Sequence, residues 1–545
     1  MRLKNRMKSD PVPVVRQSRE VAVRAITTMP PGQMVPVAAF NLLRMDSCTG
    51  RISIAAEMSE TYEVLMNRTF MRVSAWFVPH IALERFQQST AIFERSYHGE
   101  PMSKEVGAPV VPFIETKAAP ATAGSHAVYK ALGLHAKPGT QVNTSYEESY
   151  NLIANYVRRN RSKSLPERQL DDTGFAPALW GDSAFGDVVP DFDDAMIAGE
   201  LPLTVVEARM PVTGIGLNTG NPAVTDPANI RQTGGVDGGD VVSVPSSTAA
   251  ADWRMHVDGA PGALFPRIFA KMSQNGVTVS LANIDQARAL VDWAKVREGY
   301  EGHKDAFIID SLMAGIQVED QQWFQPMLLD QKMVEIKQLK RMATDGASLE
   351  DGVANGVGGT TLGINVPPNT YGGVVMVIAE AIPEQLYERQ ADPWFTATSV
   401  DDLPNYFRDV TNPMPVVEVK NKEVDTDHTT PEGLFGWARR NWRWARWPTR
   451  VGGDLFAPNA TAATTVARRA IWPTDVANPT LSEDFYTSNS LGRSVFKDQV
   501  KDPFKLGIGG SIGVTGLTVV GEVHESEANY DEVRAAAPPL LLPNK

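Results

Sequence analysis

Thr69-Phe-Met-Arg-Val-Ser-Ala-Trp-Phe-Val-Pro79 reads as a β-strand. Side chains alternate across a strand, so Phe70, Arg72, Ser74 and Trp76 point one way and Met71, Val73, Ala75 and Phe77 the other. The second set is wholly apolar and faces a core. Pro79 ends the strand because it cannot donate to a ladder. Upstream, Gly32-Gln-Met-Val-Pro-Val-Ala38 and Arg51-Ile-Ser-Ile-Ala-Ala-Glu-Met58 alternate more loosely between turn residues. Downstream, residues 373–379 and 512–523 read as further strands, the first preceded by a Gly-rich loop at 352–363.

Between these strands the pattern changes. Residues 146–161 read as a helix, with Tyr150, Ile153 and Val157 spaced by three and four. Arg158, Arg159 and Arg161 crowd its C-terminal end, where cations favour the helix dipole. A second helix is expected from Asn283 or Asp285 to about Gly299, with Ala287, Leu290, Val291 and Ala294 on one stripe. A third, short one is expected over 304–315. Residues 213–261 are rich in Gly, Asn, Thr, Ser, Pro and Val, as in a linker or a long surface insertion. No repeat of 20–50 residues occurs. Strands early and late, with short helices and long loops between, predict a mainly β, antiparallel sandwich with elaborate insertions.

Composition agrees. The chain has 545 residues, 43% hydrophobic and 21% charged, which is enough for a sizeable core. Gly (43) and Pro (38) favour turns and loops over a helical bundle. The uncharged run 506–521 is too short and too rich in Gly, Ser and Thr for a membrane span. Pro11, Pro13 and Arg16 interrupt any signal-peptide core. One cysteine, Cys48, cannot close an intrachain disulfide, so burial and assembly must supply stability.

The net charge of −12 is unevenly spread. Residues 1–24 hold Arg2, Lys4, Arg6, Lys8, Arg16, Arg19 and Arg24 against Asp10 and Glu20, a net of +5. A basic arm over residues 1–28 on an acidic body suggests an anionic partner at one face, or simply a solvated terminus.

Enzyme chemistry finds no foothold. The eight histidines (His80, His98, His126, His135, His256, His303, His428 and His524) show no i, i+4 pair and no neighbouring cysteine. Asp191-Phe-Asp-Asp194 reads as a solvated acidic turn, since it lacks the glycine and distal glutamate of an EF-hand loop. Gly507-Ile-Gly509-Gly510-Ser511-Ile512 fails the dinucleotide fingerprint, and neither a P-loop nor a nucleophile elbow is present. No cofactor and no metal are expected.

The densest local signal is Leu434-Phe-Gly-Trp-Ala-Arg-Arg-Asn-Trp-Arg-Trp-Ala-Arg-Trp-Pro-Thr-Arg450. Trp and Arg together suit single-strand nucleic-acid binding, subunit interfaces, or ordinary packing with half-buried rings. The candidate interface residues are Trp437, Arg439, Arg440, Trp442, Arg443, Trp444, Arg446, Trp447 and Arg450.

This segment, with Phe435-Gly436 leading to Pro448-Thr-Arg450-Val451-Gly-Gly453, resembles the C-terminal block of the major capsid proteins of the Microviridae, small icosahedral single-stranded DNA bacteriophages. Three more blocks match in order. Trp76-Phe77-Val78-Pro79, followed by Leu83 and Phe86, resembles the family's Phe-Phe-Val-Pro strand end. Tyr150-Asn151-Leu-Ile153-Ala-Asn155-Tyr-Val-Arg158 resembles a family helix, as does Asn283-Ile-Asp-Gln-Ala-Arg288-Ala, followed by residues 305–318. The family's Arg-Pro-Glu-Tyr-Leu-Gly-Gly run is replaced around Phe324-Gln-Pro326-Met-Leu-Leu329, which points to a divergent branch.

The resemblance implies one eight-stranded jelly roll over residues 29–545, assembling in about sixty copies into a T=1 shell, with residues 213–261 as a surface projection. It implies a virion protein, not an enzyme, assembled in the cytoplasm of a host bacterium. Its partners would be copies of itself, the circular single-stranded DNA genome, a small basic DNA-binding protein, other virion proteins and a host receptor, but no membrane. Arg2, Lys4, Arg6, Lys8 and Arg16 would then contact DNA phosphates. The alternative is a jelly-roll glycan-binding or host-attachment protein that forms no shell.

Overall fold

The computed structural model describes residues 15–103, 107–122, 124–162, 165–181, 185–186, 188–190, 209–211, 269–271, 321–341, 353–411, 416–445, 447, 449–456, 466–489 and 491–519. In chain order the strands are β1 (Gln17–Met29), β2 (Gln33–Leu42), β3 (Ser47–Thr61), β4 (Thr69–Pro79), β5 (Thr116–Ala118), β6 (Gln141–Asn143), β7 (Ala176–Pro177), β8 (Arg209–Pro211) and β9 (Phe269–Lys271). They continue with β10 (Met327–Glu335), β11 (Lys337–Arg341), β12 (Val353–Val366), β13 (Gly373–Pro383), β14 (Val416–Lys420), β15 (Leu434–Arg439) and β16 (Phe504–Gly516). Three α-helices lie between β4 and β7: α1 (Thr90–Tyr97), α2 (Ala127–Leu132) and α3 (Ser145–Arg161).

The chain divides into two compact units, residues 1–198 with 295–545, and residues 199–294. In the second unit the description is confined to β8 and β9, which pair antiparallel. The candidate projection at 213–261, the acidic turn at 191–194 and the helices expected near 283–299 and 304–315 lie outside the described residues.

The first unit is mainly β, built on two five-stranded antiparallel sheets, ordered β1-β16-β3-β12-β11 and β10-β4-β13-β2-β7. Their inner faces interdigitate. Ile52, Ile54, Leu362, Ile364, Leu506, Ile508 and Ile512 from the first meet Val35, Val37, Met71, Val73, Phe77 and Val375 from the second in one buried cluster. β4 spans the residues predicted for it, and Met71, Val73, Ala75 and Phe77 face this core as expected.

Its other face is also covered. Trp76 and Val78 pack with Tyr150, Ile153 and Ala154 of α3 in a second apolar cluster. The Tyr150 hydroxyl donates to Met34 O (2.7 Å) and accepts from Ala176 N (2.7 Å), which fixes the helix on the sheet. Of the three arginines at its C-terminal end, Arg158 is buried and paired with Glu483 (2.5 Å), while Arg159 reaches Glu167 (2.7 Å).

Three sequence expectations are corrected. The Gly-rich stretch 352–363 is no loop, because Val353–Val366 forms β12, paired with β3 and β11. Gly356 serves close approach. β10 and β11 are separated only by buried Ile336, where the chain passes from one sheet to the other. A Cβ on Gly356 would come within 2.5 Å of the Ile336 side chain, so this corner needs a residue without one. The last strand occupies Phe504–Gly516 rather than beginning at residue 512, and its ladder absorbs Gly507, Gly509 and Gly510. Most of the supposed arm after residue 16 is strand β1, paired with β16 along its whole length.

Candidate assembly surface

The Trp/Arg segment builds a small lobe of its own. β15 pairs with β14, setting Trp437 opposite Glu418, and Trp437 exchanges two main-chain hydrogen bonds with Val189 (2.8 and 2.9 Å). Gly436 permits that approach, since a Cβ there would lie 2.7 Å from Val189 O. Phe435 and Ala438 turn inward to join Phe185, Val188, Tyr387, Val419, Val424, Trp442 and Phe485 in a buried cluster. Phe185 is its hub, with ring centroids of Tyr387 at 4.8 Å, Trp442 at 5.6 Å and Phe485 at 6.0 Å. Tyr387 and Phe485 meet it edge to face, an arrangement that stabilises beyond area burial, while Trp442 is tilted.

The nine interface candidates therefore part company. Trp442 is interior, which removes it from any contact surface, and Trp437 and Trp444 are half-buried. Arg440 approaches Asp409 (3.7 Å), Arg443 binds Glu423 (2.8 Å) and Arg450 pairs with Asp392, so these cations hold the lobe together. Arg439 is exposed, as is Trp447 at 80%, with the Arg450 guanidinium 4.6 Å from its ring centroid. Arg446 lies outside the described residues.

Sequence reasoning missed the aromatic residues that do stand in water. Trp394 (70% exposed), Phe395 (88%), Tyr406 (76%) and Phe407 (80%) form two adjacent pairs, with Val400 and Val410 exposed nearby. Trp394 and Phe395 ride on a turn, while Tyr406 and Phe407 open a short helix (Tyr406–Thr411), and a polar side chain caps each. Asp392 Oδ1 accepts from the N–H groups of Trp394 and Phe395 (2.9 Å each), while Asn405 Oδ1 accepts from those of Phe407 (3.1 Å) and Arg408 (3.2 Å). Ser399 and Asp402 form a reciprocal capping box between them. The N–H groups of Thr398 and Ser399 hold the Asp402 carboxyl below its ordinary range.

Asp392 also joins this region to the Trp/Arg segment, because its Oδ2 accepts from Arg450. One carboxylate thus positions both the Trp394–Phe395 turn and the arginine stacked on Trp447. Exposed apolar groups on pre-ordered turns lose little entropy when a partner covers them. The available signal was aromatic doublets beside Asp-Pro and Pro-Asn, where no core periodicity accounts for them.

Of the five candidate DNA contacts, Arg16 is exposed just before β1, whereas Arg2, Lys4, Arg6 and Lys8 lie outside the described residues. Arg19 is committed to buried Asp46.

The remaining polar chemistry is interior. Glu147 receives Tyr129 Oη (2.9 Å) and Lys117 Nζ (3.2 Å) and lies 3.1 Å from His126 Nε2. Burial pulls this carboxyl up, but hydrogen bonds from His126, Tyr129 and Lys117 outweigh it and hold it below the ordinary value. Burial pushes the Cys48 thiol up to about 11, which leaves it inert.

One cavity of about 460 Å³ is walled by Trp76, Tyr156 and Trp180, with Arg161, Gln331 and the Arg72–Glu380 pair at its polar side. Among the described residues, no three His, Cys, Asp or Glu side chains converge as a metal site requires, and no helix is long and apolar enough to cross a membrane.

No protein-family model matches the chain, and no curated protein matches it either.

Proposed function

We propose that the chain is a structural capsid subunit, a divergent relative of the Microviridae major capsid proteins, built on a jelly roll and assembling in about sixty copies into a T=1 shell. The observation that carries the reading is the pair of aromatic doublets presented to solvent, Trp394–Phe395 on a capped turn and Tyr406–Phe407 at the start of a capped short helix. Large exposed apolar patches mark interaction sites, and aromatic anchors dominate interface energies.

Strand order supports the jelly-roll part. Numbered one to eight along the chain, the long strands β1, β2, β3, β4, β10, β12, β13 and β16 lie in the orders 1-8-3-6 and 5-4-7-2. Interlocked Greek keys of a two-sheet jelly roll have this order, and β7 and β11 are short additions at the edges.

In this reading the sandwich is a rigid wedge, and the lobe around residues 385–450 supplies contacts to neighbouring copies. Many modest interfaces add through multivalency, so the shell outlasts any one contact. The basic residues before β1 would meet phosphates of a single-stranded DNA genome, helped by a small basic protein. Outer loops would meet the host receptor, and the chain would belong to the virion after assembly in a bacterial cytoplasm. Sedimentation followed by nuclease digestion tests this. The reading expects megadalton particles retaining nuclease-resistant single-stranded DNA, whereas a small oligomer free of nucleic acid would overturn it.

A second reading, a jelly-roll glycan binder, rests on the cavity walled by Trp76, Tyr156 and Trp180. It expects a soluble small species that retains an oligosaccharide and loses it on substitution of Tyr156.

A further inference from the structure

β1 ends one sheet, and no described strand pairs with its second edge. Its ladder to β16 runs through thirteen consecutive pairs, Gln17↔Gly516 to Met29↔Phe504, without a bulge. Natural sheets protect exposed edges with proline, bulges, very short strands or charges. β1 has neither proline nor bulge and is thirteen residues long, and of its charges Arg19 is turned inward onto Asp46, leaving Glu20 and Arg24. Among the described residues, the main-chain groups of residues 18–29 hydrogen-bond only to β16. Toward the C-terminal end, Thr27 Oγ1 donates to Ala131 O of α2 (2.9 Å), so the free edge is residues 18–26.

The side chains on its solvent face are Ser18, Glu20, Ala22, Arg24 and Ile26. Beside them β16 presents Gly507, Gly509, Ser511 and Gly513, which keeps this face flat. Glu20 accepts from the Ser511 hydroxyl through Oε1 alone, and Arg24 has no carboxylate partner among the described residues. The solvent face of the strand thus carries one anion and one cation, two residues either side of Ala22.

We infer that β1 pairs antiparallel with β1 of a second copy, about a twofold axis through Ala22, joining the two sheets into one. The charges select this register. With Ala22 opposite Ala22, each Glu20 faces an Arg24 of the other copy, and Val21 faces Val23. Moving the axis to residue 20 sets Glu20 against Glu20, and moving it to residue 24 sets Arg24 against Arg24. Like charges directly opposite destabilise a sheet and opposite charges stabilise it. An isologous contact of this kind closes on itself, and main-chain hydrogen bonds supply its affinity.

The self-assembly reading enters only in naming a second copy as the occupant. Full-length chain carrying Ala22→Cys, treated with a short bismaleimide, should cross-link to a dimer. Ile26→Cys should not, because the two copies of position 26 lie about 26 Å apart along the paired strands. Native Cys48 is buried and adds no background. Glu20→Arg or Arg24→Glu, added to Ala22→Cys, should each cut the yield about tenfold by turning both cross-strand pairs repulsive. Mixing those two variants should restore it. The introduced arginine of one copy then faces the introduced glutamate of the other, and the remaining Arg24 faces the remaining Glu20. Unchanged thermal unfolding of the variants excludes misfolding as the cause. Shells that form without the residue-22 cross-link, or charge variants that cross-link like the parent, overturn the pairing. Cross-linked dimers that never become shells leave it standing and overturn only the capsid reading.

Discussion

Two aromatic regions lie next to one another and have opposite fates. Residues 434–450 hold the higher density of Trp and Arg, yet Trp442 and Phe435 turn inward and the arginines Arg440, Arg443 and Arg450 close ion pairs within the lobe. Residues 394–407 hold fewer such residues, yet Trp394, Phe395, Tyr406 and Phe407 stand in water. Density of a residue type therefore does not locate a surface. What separates the regions is the backbone. β15 and the short 3-10 helix at 442–444 set Phe435 and Trp442 against Phe185, while the turn at Trp394–Phe395 and the short helix opened by Tyr406–Phe407 leave their rings exposed.

The sharpest break of this comparison is Trp442→Ala. Removing a ring from the buried cluster should cost about 3–5 kcal/mol of stability, read by denaturant unfolding. A cost near zero would mean that Trp442 is not a core residue. Trp394→Ala with Phe395→Ala should do the reverse. Stability should change by less than about 0.5 kcal/mol. Each interface would lose about 2 kcal/mol or more, so particles should give way to free subunits on a sizing column. Unchanged assembly would strip these rings of their role.

Asp392→Ala sharpens the comparison further, because this carboxylate serves both regions. Losing its hydrogen bonds to the Trp394 and Phe395 N–H groups and to Arg450 should cost about 1 kcal/mol and make the turn more open to protease. A turn as resistant as in the parent would show that Asp392 does not hold it.

The smallest effect is a pH dependence. Burial pushes the Glu423 carboxyl up despite its Arg443 partner, and its Oε2 has no hydrogen-bond partner among the described residues. A carboxyl raised in the folded state binds its proton more tightly there than when unfolded. It therefore favours folding at low pH, and that advantage fades as pH climbs from the ordinary carboxylate range through the raised value. Glu423→Gln should flatten this part of the stability–pH curve while keeping the contact to Arg443. An unaltered slope would assign the dependence to other groups.

Much of the sandwich is legible in sequence because its strands obey a simple period. β4 and α3 appear with their boundaries nearly in place, since Met71, Val73, Ala75 and Phe77 alternate and Tyr150, Ile153 and Val157 recur at helical spacing. β12 and β16 were obscured by glycine, which reads as loop but here lets sheets meet at Ile336 and lie flat beside β1. β1 was hidden by its charges, because Arg19, Glu20 and Arg24 look like a solvated arm until Arg19 is seen on Asp46. The candidate surface was the least legible part. Exposure of Trp394 or Phe407 depends on what the rest of the chain leaves uncovered, and no local pattern encodes that.

Electron microscopy of the purified full-length chain decides whether it builds shells. A shell-forming jelly roll predicts uniform closed particles with icosahedral symmetry. Isolated monomers or dimers under the same conditions, with Trp394, Phe395, Tyr406 and Phe407 still in water, would contradict it.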